Sequence, residues 1–135
     1  MLALRGSRLP LGAGMRRCLA TGLVVLCACA GSGEAAAQNY GAIAYSPSTK
    51  AYGWSYDYPS RGAAESAALA NCGKQANDCI VSLWFRNACG ALAIGSNGYG
   101  TAWASQRSGA ENQALAVCRR HTMDCAVKQW VCTTR

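Results

Sequence analysis

Two glutamates, Glu65 and Glu111, occupy matching places in two similar stretches of the chain, ESAALANCGKQANDC from Glu65 and ENQALAVCRRHTMDC from Glu111. A pair of carboxyl groups facing each other across a cleft could cleave a glycoside, one protonating the leaving oxygen while the other serves as nucleophile or base. Each glutamate, however, opens an alanine-rich helical run. A carboxylate in the first turn of a helix satisfies orphan N–H groups and favours the positive end of the dipole, so both are expected to serve the scaffold. Hydrolysis by a nucleophile and a base needs Ser or Cys beside His. The single histidine, His121, falls in a loop among Arg119, Arg120 and Lys128, and its counterpart in the first stretch is Gln75, so it reads as a solvated polar residue. Asp78 and Asp124 each precede a cysteine and are expected to accept turn amides rather than hold a metal. No glycine loop of the phosphate-cradling kind is present. The sequence therefore predicts no catalytic residue, no metal site and no cofactor.

The cysteines carry the other chemistry. Of the nine cysteines, the six that would survive removal of a secretory leader, Cys72, Cys79, Cys89, Cys118, Cys125 and Cys132, are an even number, and none belongs to a Cys-x-x-Cys pair of the kind a zinc site requires. In an exported chain this reads as three disulfides. A helix-end cysteine reaches the one that opens the next strand, giving Cys72–Cys79 and Cys118–Cys125. Cys89–Cys132 remains as a link between equivalents across the repeat.

Aromatic residues offer a surface for binding. Tyr52, Trp54 and Tyr56 alternate along one strand, with Tyr58 following. If helices leave that face uncovered, the row could stack on sugar rings or on a partner; if they cover it, the row is core. The recurrence of Trp54 and Trp103 favours shared packing for those two.

The elements that position these residues follow from the duplication. Gly41-Ala42-Ile43-Ala44 matches Gly90-Ala91-Leu92-Ala93, and Gly53-Trp54-Ser55 matches Ala102-Trp103-Ala104, both 49 residues on. The helical stretches match at 46, as do Trp84 and Trp130, while Cys89 meets Cys132 at 43. Each unit reads as a hairpin, a helix and a third strand. The first hairpin pairs Ala42 to Tyr45 with a return strand after Ser46 to Lys50; the second turns at Ser96-Asn97-Gly98, where Asn-Gly tolerates positive φ. The second helix starts at a capping box, Ser108-x-x-Glu111, and Gly62 is the weaker cap of the first. Ala64, Ala67, Ala68 and Cys72 share one helix face, as do Ala110, Ala114, Val117 and Cys118. The third strands, Ile80 to Phe85 and Ala126 to Val131, are rich in β-branched and aromatic residues. The expected fold is α+β: tandem ββαβ units, about 40–89 and 90–135, in a shared, mainly antiparallel sheet with both helices on one face.

The amino-terminal region reads as a secretory leader. Met15-Arg16-Arg17 precedes an apolar run from Leu19 to Ala30, too short to span a bilayer, and Ala35-Ala36-Ala37-Gln38 supplies a cleavage site after Ala37. Met15 opens a complete leader by itself. Leu26-Cys27-Ala28-Cys29 half fits a lipidation signal, the alternative to simple cleavage. Residues 38–135 would then be a single domain in the periplasm or outside the cell. From residue 38 onward there are nine Lys and Arg against five Asp and Glu, a net of +4. These charges are scattered rather than striped, which argues against nucleic acid.

Taken together, YGAIAYSPSTKAYGWSYDYPSRGAAESAALANC, the following DC and WFRNACGALAIG resemble a small secreted bacterial domain, domain-of-unknown-function family 4189. The resemblance implies export and one compact domain, and brings no catalytic residues. The expected function is binding of an envelope or extracellular protein or glycan without catalysis. The alternatives are an inhibitor or immunity protein against a hydrolase, and a small hydrolase using Glu65 and Glu111.

Overall fold

The computed structural model describes residues 38–134. The leader, its cleavage after Ala37, the Met15 start and the lipidation alternative at Cys27 or Cys29 lie outside the described residues.

The chain runs β1 (Tyr40–Tyr45), β2 (Tyr52–Tyr58), α1 (Arg61–Cys72), β3 (Ile80–Arg86), β4 (Cys89–Ile94), β5 (Tyr99–Ala104), α2 (Arg107–Cys118) and β6 (Ala126–Cys132). This is the α+β duplication of ββαβ units, antiparallel throughout. The strands do not share one sheet, however. They form two three-stranded sheets, ordered β2-β1-β3 and β5-β4-β6. Each central strand already has a partner on both sides, so neither sheet has room for the other at its centre. Asn87, in the left-handed region at φ 48°, and Ala88 carry the chain from β3 directly into β4 of the second sheet.

Packing follows from alternation along the central strands. Ala42 and Ala44 of β1 face Ala64, Ala68 and Cys72 of α1, while Ala91 and Ala93 of β4 face Ala110, Ala114 and Cys118 of α2. On the opposite faces Ile43 and Tyr45 of β1 join Phe85, Leu92, Ile94 and Val131 in one cluster between the sheets. The layers are therefore helix, sheet, sheet, helix, and the helices do not lie together on one face. Small residues at the helix contacts allow the close approach. A Cβ on Gly53 would stand 2.3 Å from the Cys72 nitrogen, and one on Gly100 2.3 Å from the Cys118 nitrogen. Between the sheets, a Cβ on Gly41 or on Gly90 would come within 2.4 Å of the Phe85 ring, so Phe85 fills the space that both glycines leave.

Strand register corrects part of the repeat alignment. Gly53 pairs with Ala44 and Gly100 with Ala93, so the second strands match at 47 rather than 49 because the second hairpin turn is two residues shorter. Trp54 is thus the counterpart of Thr101, and Trp103 that of Tyr56. Cys132 pairs with Cys89 within the second sheet, as Arg86 pairs with Tyr40 in the first. The Cys89–Cys132 bond therefore ties β4 to β6 inside one unit, not one unit to the other. The remaining bonds, Cys72–Cys79 and Cys118–Cys125, also close within single units.

Both third strands carry a bulge, at Ser82 and at Lys128, where one extra residue enters the pairing. Each bulge carbonyl accepts a hydroxyl from the opposite unit: Ser82 from Thr101 (3.1 Å) and Lys128 from Tyr52 (3.4 Å). The first hairpin turns through Lys50 at φ 63°, whereas among the described residues no glycine has positive φ, so Asn97-Gly98 does not make the turn expected of it. Gly98 serves closeness instead, since a Cβ there would meet His121 at 2.5 Å.

Candidate functional site: the aromatic edge of the first unit

The two glutamates do not cap their helices. Ser60 caps α1 by accepting the Ala63 N–H at 3.2 Å, and Gln106 precedes α2 without a side-chain cap. Ser108 lies inside α2, one residue past its start. Glu65 accepts a hydrogen bond from Arg61 at 2.7 Å, and Glu111 accepts one from Arg107 at 3.0 Å, each one helical turn earlier. The same guanidinium groups stack on tryptophans of the third strands, Arg61 at 4.5 Å from the Trp84 ring centre and Arg107 at 3.8 Å from that of Trp130. This Glu–Arg–Trp arrangement appears in both units and clips each helix to its sheet.

His121 lies exposed beyond α2, and among the described residues no hydrogen bond involves its ring. Asp78 and Asp124 hold the hairpin turns, as their positions suggested. Asp78 accepts the Ser46 hydroxyl and, at 3.2 Å, the Ser48 N–H; those hydrogen bonds, led by that of Ser46, hold its carboxyl below the usual range. Asp124 accepts the Thr122 hydroxyl and, at 3.0 Å, the Ser96 N–H, and its pKa falls to about 2, the Thr122 bond contributing most.

The aromatic residues of β2 are displayed. Gly53 and Ser55 turn toward α1, where the Ser55 hydroxyl donates to the Ala64 carbonyl at 2.6 Å. Alternation then sends Tyr52, Trp54 and Tyr56 to the other face of an edge strand. Trp54 is 38% exposed and Tyr56 52%. Trp103 is 57% exposed, so the shared packing expected for the two tryptophans does not exist. Tyr52 is half-buried, packs against the cluster between the sheets and lies 6.3 Å from the Trp54 ring.

A third bulge, in β2, breaks the period. Asp57 adopts φ 59°, and Tyr58 pairs with Tyr40, whose ring packs on the helix side. One extra residue moves a side chain to the opposite face of a strand, so Tyr58 leaves the row while still bordering its outer edge. Along that edge runs a shallow groove between β2 and the end of α1, bordered by Asn71, Lys74 and Gln75. These three could not be placed beside the row from sequence because they belong to a different element. The Asn71 amide donates to the Trp54 carbonyl at 2.9 Å, and Asp57 accepts the Thr134 N–H at 2.7 Å.

Comparison with known proteins places this architecture. A sequence family described as a domain of unknown function (DUF4189) matches residues 40–132. Protein Rv1269c and Protein MT1307 of Mycobacterium tuberculosis and Protein Mb1300c of Mycobacterium bovis are each 48% identical over 64 residues, 47% of this chain. The matched stretch spans 48% of each of these relatives. The NMR structure of Rv1813c from Mycobacterium tuberculosis is similar with a TM-score of 0.53 and 30% identity, over 87% of this chain and 97% of that one.

Proposed function

The chain belongs to this family, a domain of unknown function, and on that premise we propose that it is an exported, non-catalytic domain that binds an envelope or extracellular protein or glycan through the edge of β2. The observation that carries the reading is the display of Trp54, Tyr56 and Tyr58 on an edge strand, where the counterparts of Trp54 and Tyr58 are Thr101 and Ala104. Trp84 and Trp130 recur because both units need their clip; Trp54 and Tyr58 answer no such need. Exposed aromatic surface with a polar border is the ordinary composition of a recognition site.

Export is supported by the leader sequence and by three disulfides, which persist in oxidising compartments. The hydrolase alternative draws no support from Glu65 and Glu111, because each is engaged by its own arginine and the stacking below it.

The test is affinity capture from envelope and culture-medium fractions with protein purified after export. A bound glycan or protein whose recovery falls with Trp54→Ala and Tyr56→Ala supports the reading, provided circular dichroism shows both variants folded. Capture that is absent, or indifferent to both substitutions, removes it.

A further inference from the structure

The groups already satisfied within the molecule, set against those left open, indicate what the β2 edge takes. The groove reaches from Lys50, past Tyr52, Trp54 and Gln75, to Asp57 and Tyr58. Its charged side chains are all engaged. The Lys50 ammonium donates to the carbonyls of Gly95 (3.2 Å) and Ser96 (3.0 Å), that of Lys74 donates to the Asn71 side-chain oxygen (3.3 Å), and the Asp57 carboxylate takes the Thr134 N–H. Two ammonium groups stand against Asp57 in the groove and Asp78 beside it, so the local charge balances.

The groups without internal partners are of another kind. Among the described residues, no hydrogen bond involves the Trp54 indole N–H, the Tyr56 and Tyr58 hydroxyls or the side-chain amide of Gln75. They are neutral donors and acceptors set around exposed aromatic faces.

The backbone of the edge is closed to an added strand. Asn71 occupies the Trp54 carbonyl, and the bulge at Asp57 interrupts the ladder, both of which obstruct pairing with an extended peptide. Ring faces that stack, neutral hydroxyl and amide groups that hydrogen-bond, balanced charge and a blocked ladder together describe a carbohydrate site. Its extent sets the size of the ligand. From Tyr52 to Tyr58 a strand covers about 20 Å, long enough for several linked sugar rings rather than one.

We infer that the β2 edge binds an uncharged, linear oligosaccharide, lying along the strand with sugar rings against Trp54 and Tyr56. The inference rests on the binding reading above and narrows it to one ligand class.

Titration by intrinsic fluorescence and calorimetry tests it, with chitohexaose, cellohexaose and xylohexaose as neutral probes, their trimers for length, and hyaluronan and alginate oligomers as acidic probes. At least one neutral hexamer should bind saturably and more tightly than its trimer, with affinity unchanged between low and high salt because screening acts on charges. Trp54→Ala should weaken it about tenfold or more, and Trp54→Phe should retain most of it. Binding confined to the acidic oligomers and lost in salt overturns the inference. So does failure of every neutral probe, or a Trp54-dependent partner that proves to be a protein; in that last case the binding role itself survives.

Discussion

Asp124 shows at the scale of one residue how a conspicuous acidic side chain serves the scaffold. Its carboxylate accepts hydrogen bonds from Thr122 and Ser96, which favour the ionised form and hold its pKa at about 2, against an ordinary 3.8. A group whose folded pKa lies below its unfolded value stabilises the fold in its charged state. That contribution is complete above about pH 4 and disappears as the pH falls toward 2. Acid unfolding followed by circular dichroism should therefore be less steep over this interval in Asp124→Asn than in the parent protein. An unchanged acid limb would contradict the role assigned to the carboxylate. The glutamates make a second prediction at this scale. Glu65→Gln and Glu111→Gln each remove an ion pair one helical turn long and partly solvated, so each should cost about 0.5 kcal/mol or less in chemical denaturation. The positions and approximate surroundings of these acidic residues were legible in sequence, Asp78 and Asp124 correctly as turn holders. The glutamates were not read correctly as caps, because the true helix starts placed Arg61 and Arg107 ahead of them, over the tryptophans.

Among the elements, the central strands β1 and β4 are the most constrained, since one face of each meets a helix and the other meets the second sheet. Phe85 lies where the glycines of the two strands leave room, so Phe85→Ala should destabilise by about 3–5 kcal/mol. Gly90→Ala places a methyl group against the same ring and should also destabilise. Replacing Phe85 with Leu in the Gly90→Ala background should recover part of the loss, and denaturation of the two singles and the double measures that coupling. Additive costs would mean that Phe85 and Gly90 do not meet as described. Alternating small and large residues made these strands legible in sequence; the two bulges, at Ser82 and Lys128, were not, because an extra residue has no local composition that distinguishes it from the strand around it.

Across the whole molecule, the absence of any disulfide between the units among the described residues is the decisive fact. Chain cleavage engineered between Asn87 and Ala88 should yield two fragments that remain associated under native conditions through the intersheet cluster. They should separate in denaturant without reductant, as a non-reducing denaturing gel would reveal; fragments that stay joined would require a bond across the boundary. The loops closed by the disulfides differ in length, so the chain-entropy account assigns about 4 kcal/mol to Cys89–Cys132 and about 2.5 kcal/mol to each helix-end bond. Thermal unfolding of the paired Cys→Ser variants should follow that order. The binding role proposed above is also a matter of this scale, since the groove joins a strand edge to the end of a helix.

What the sequence determined by itself is the content of each unit: hairpin, helix and strand, with small residues on the helix face and cysteines where the helix and next strand meet. These features are local, written in periodicity and in a repeat that compares the chain with itself. The tertiary structure alone decided that the strands divide into two sheets, that Cys89 and Cys132 belong to the same unit, and that Trp54 stands in solvent while Phe85 is enclosed. Those outcomes depend on which already formed surfaces meet, and on a two-residue difference in turn length that shifts every later partner along the strand. A side chain's environment is set by its neighbours in space, and for an edge strand they come from the far end of a helix and from the other half of the chain.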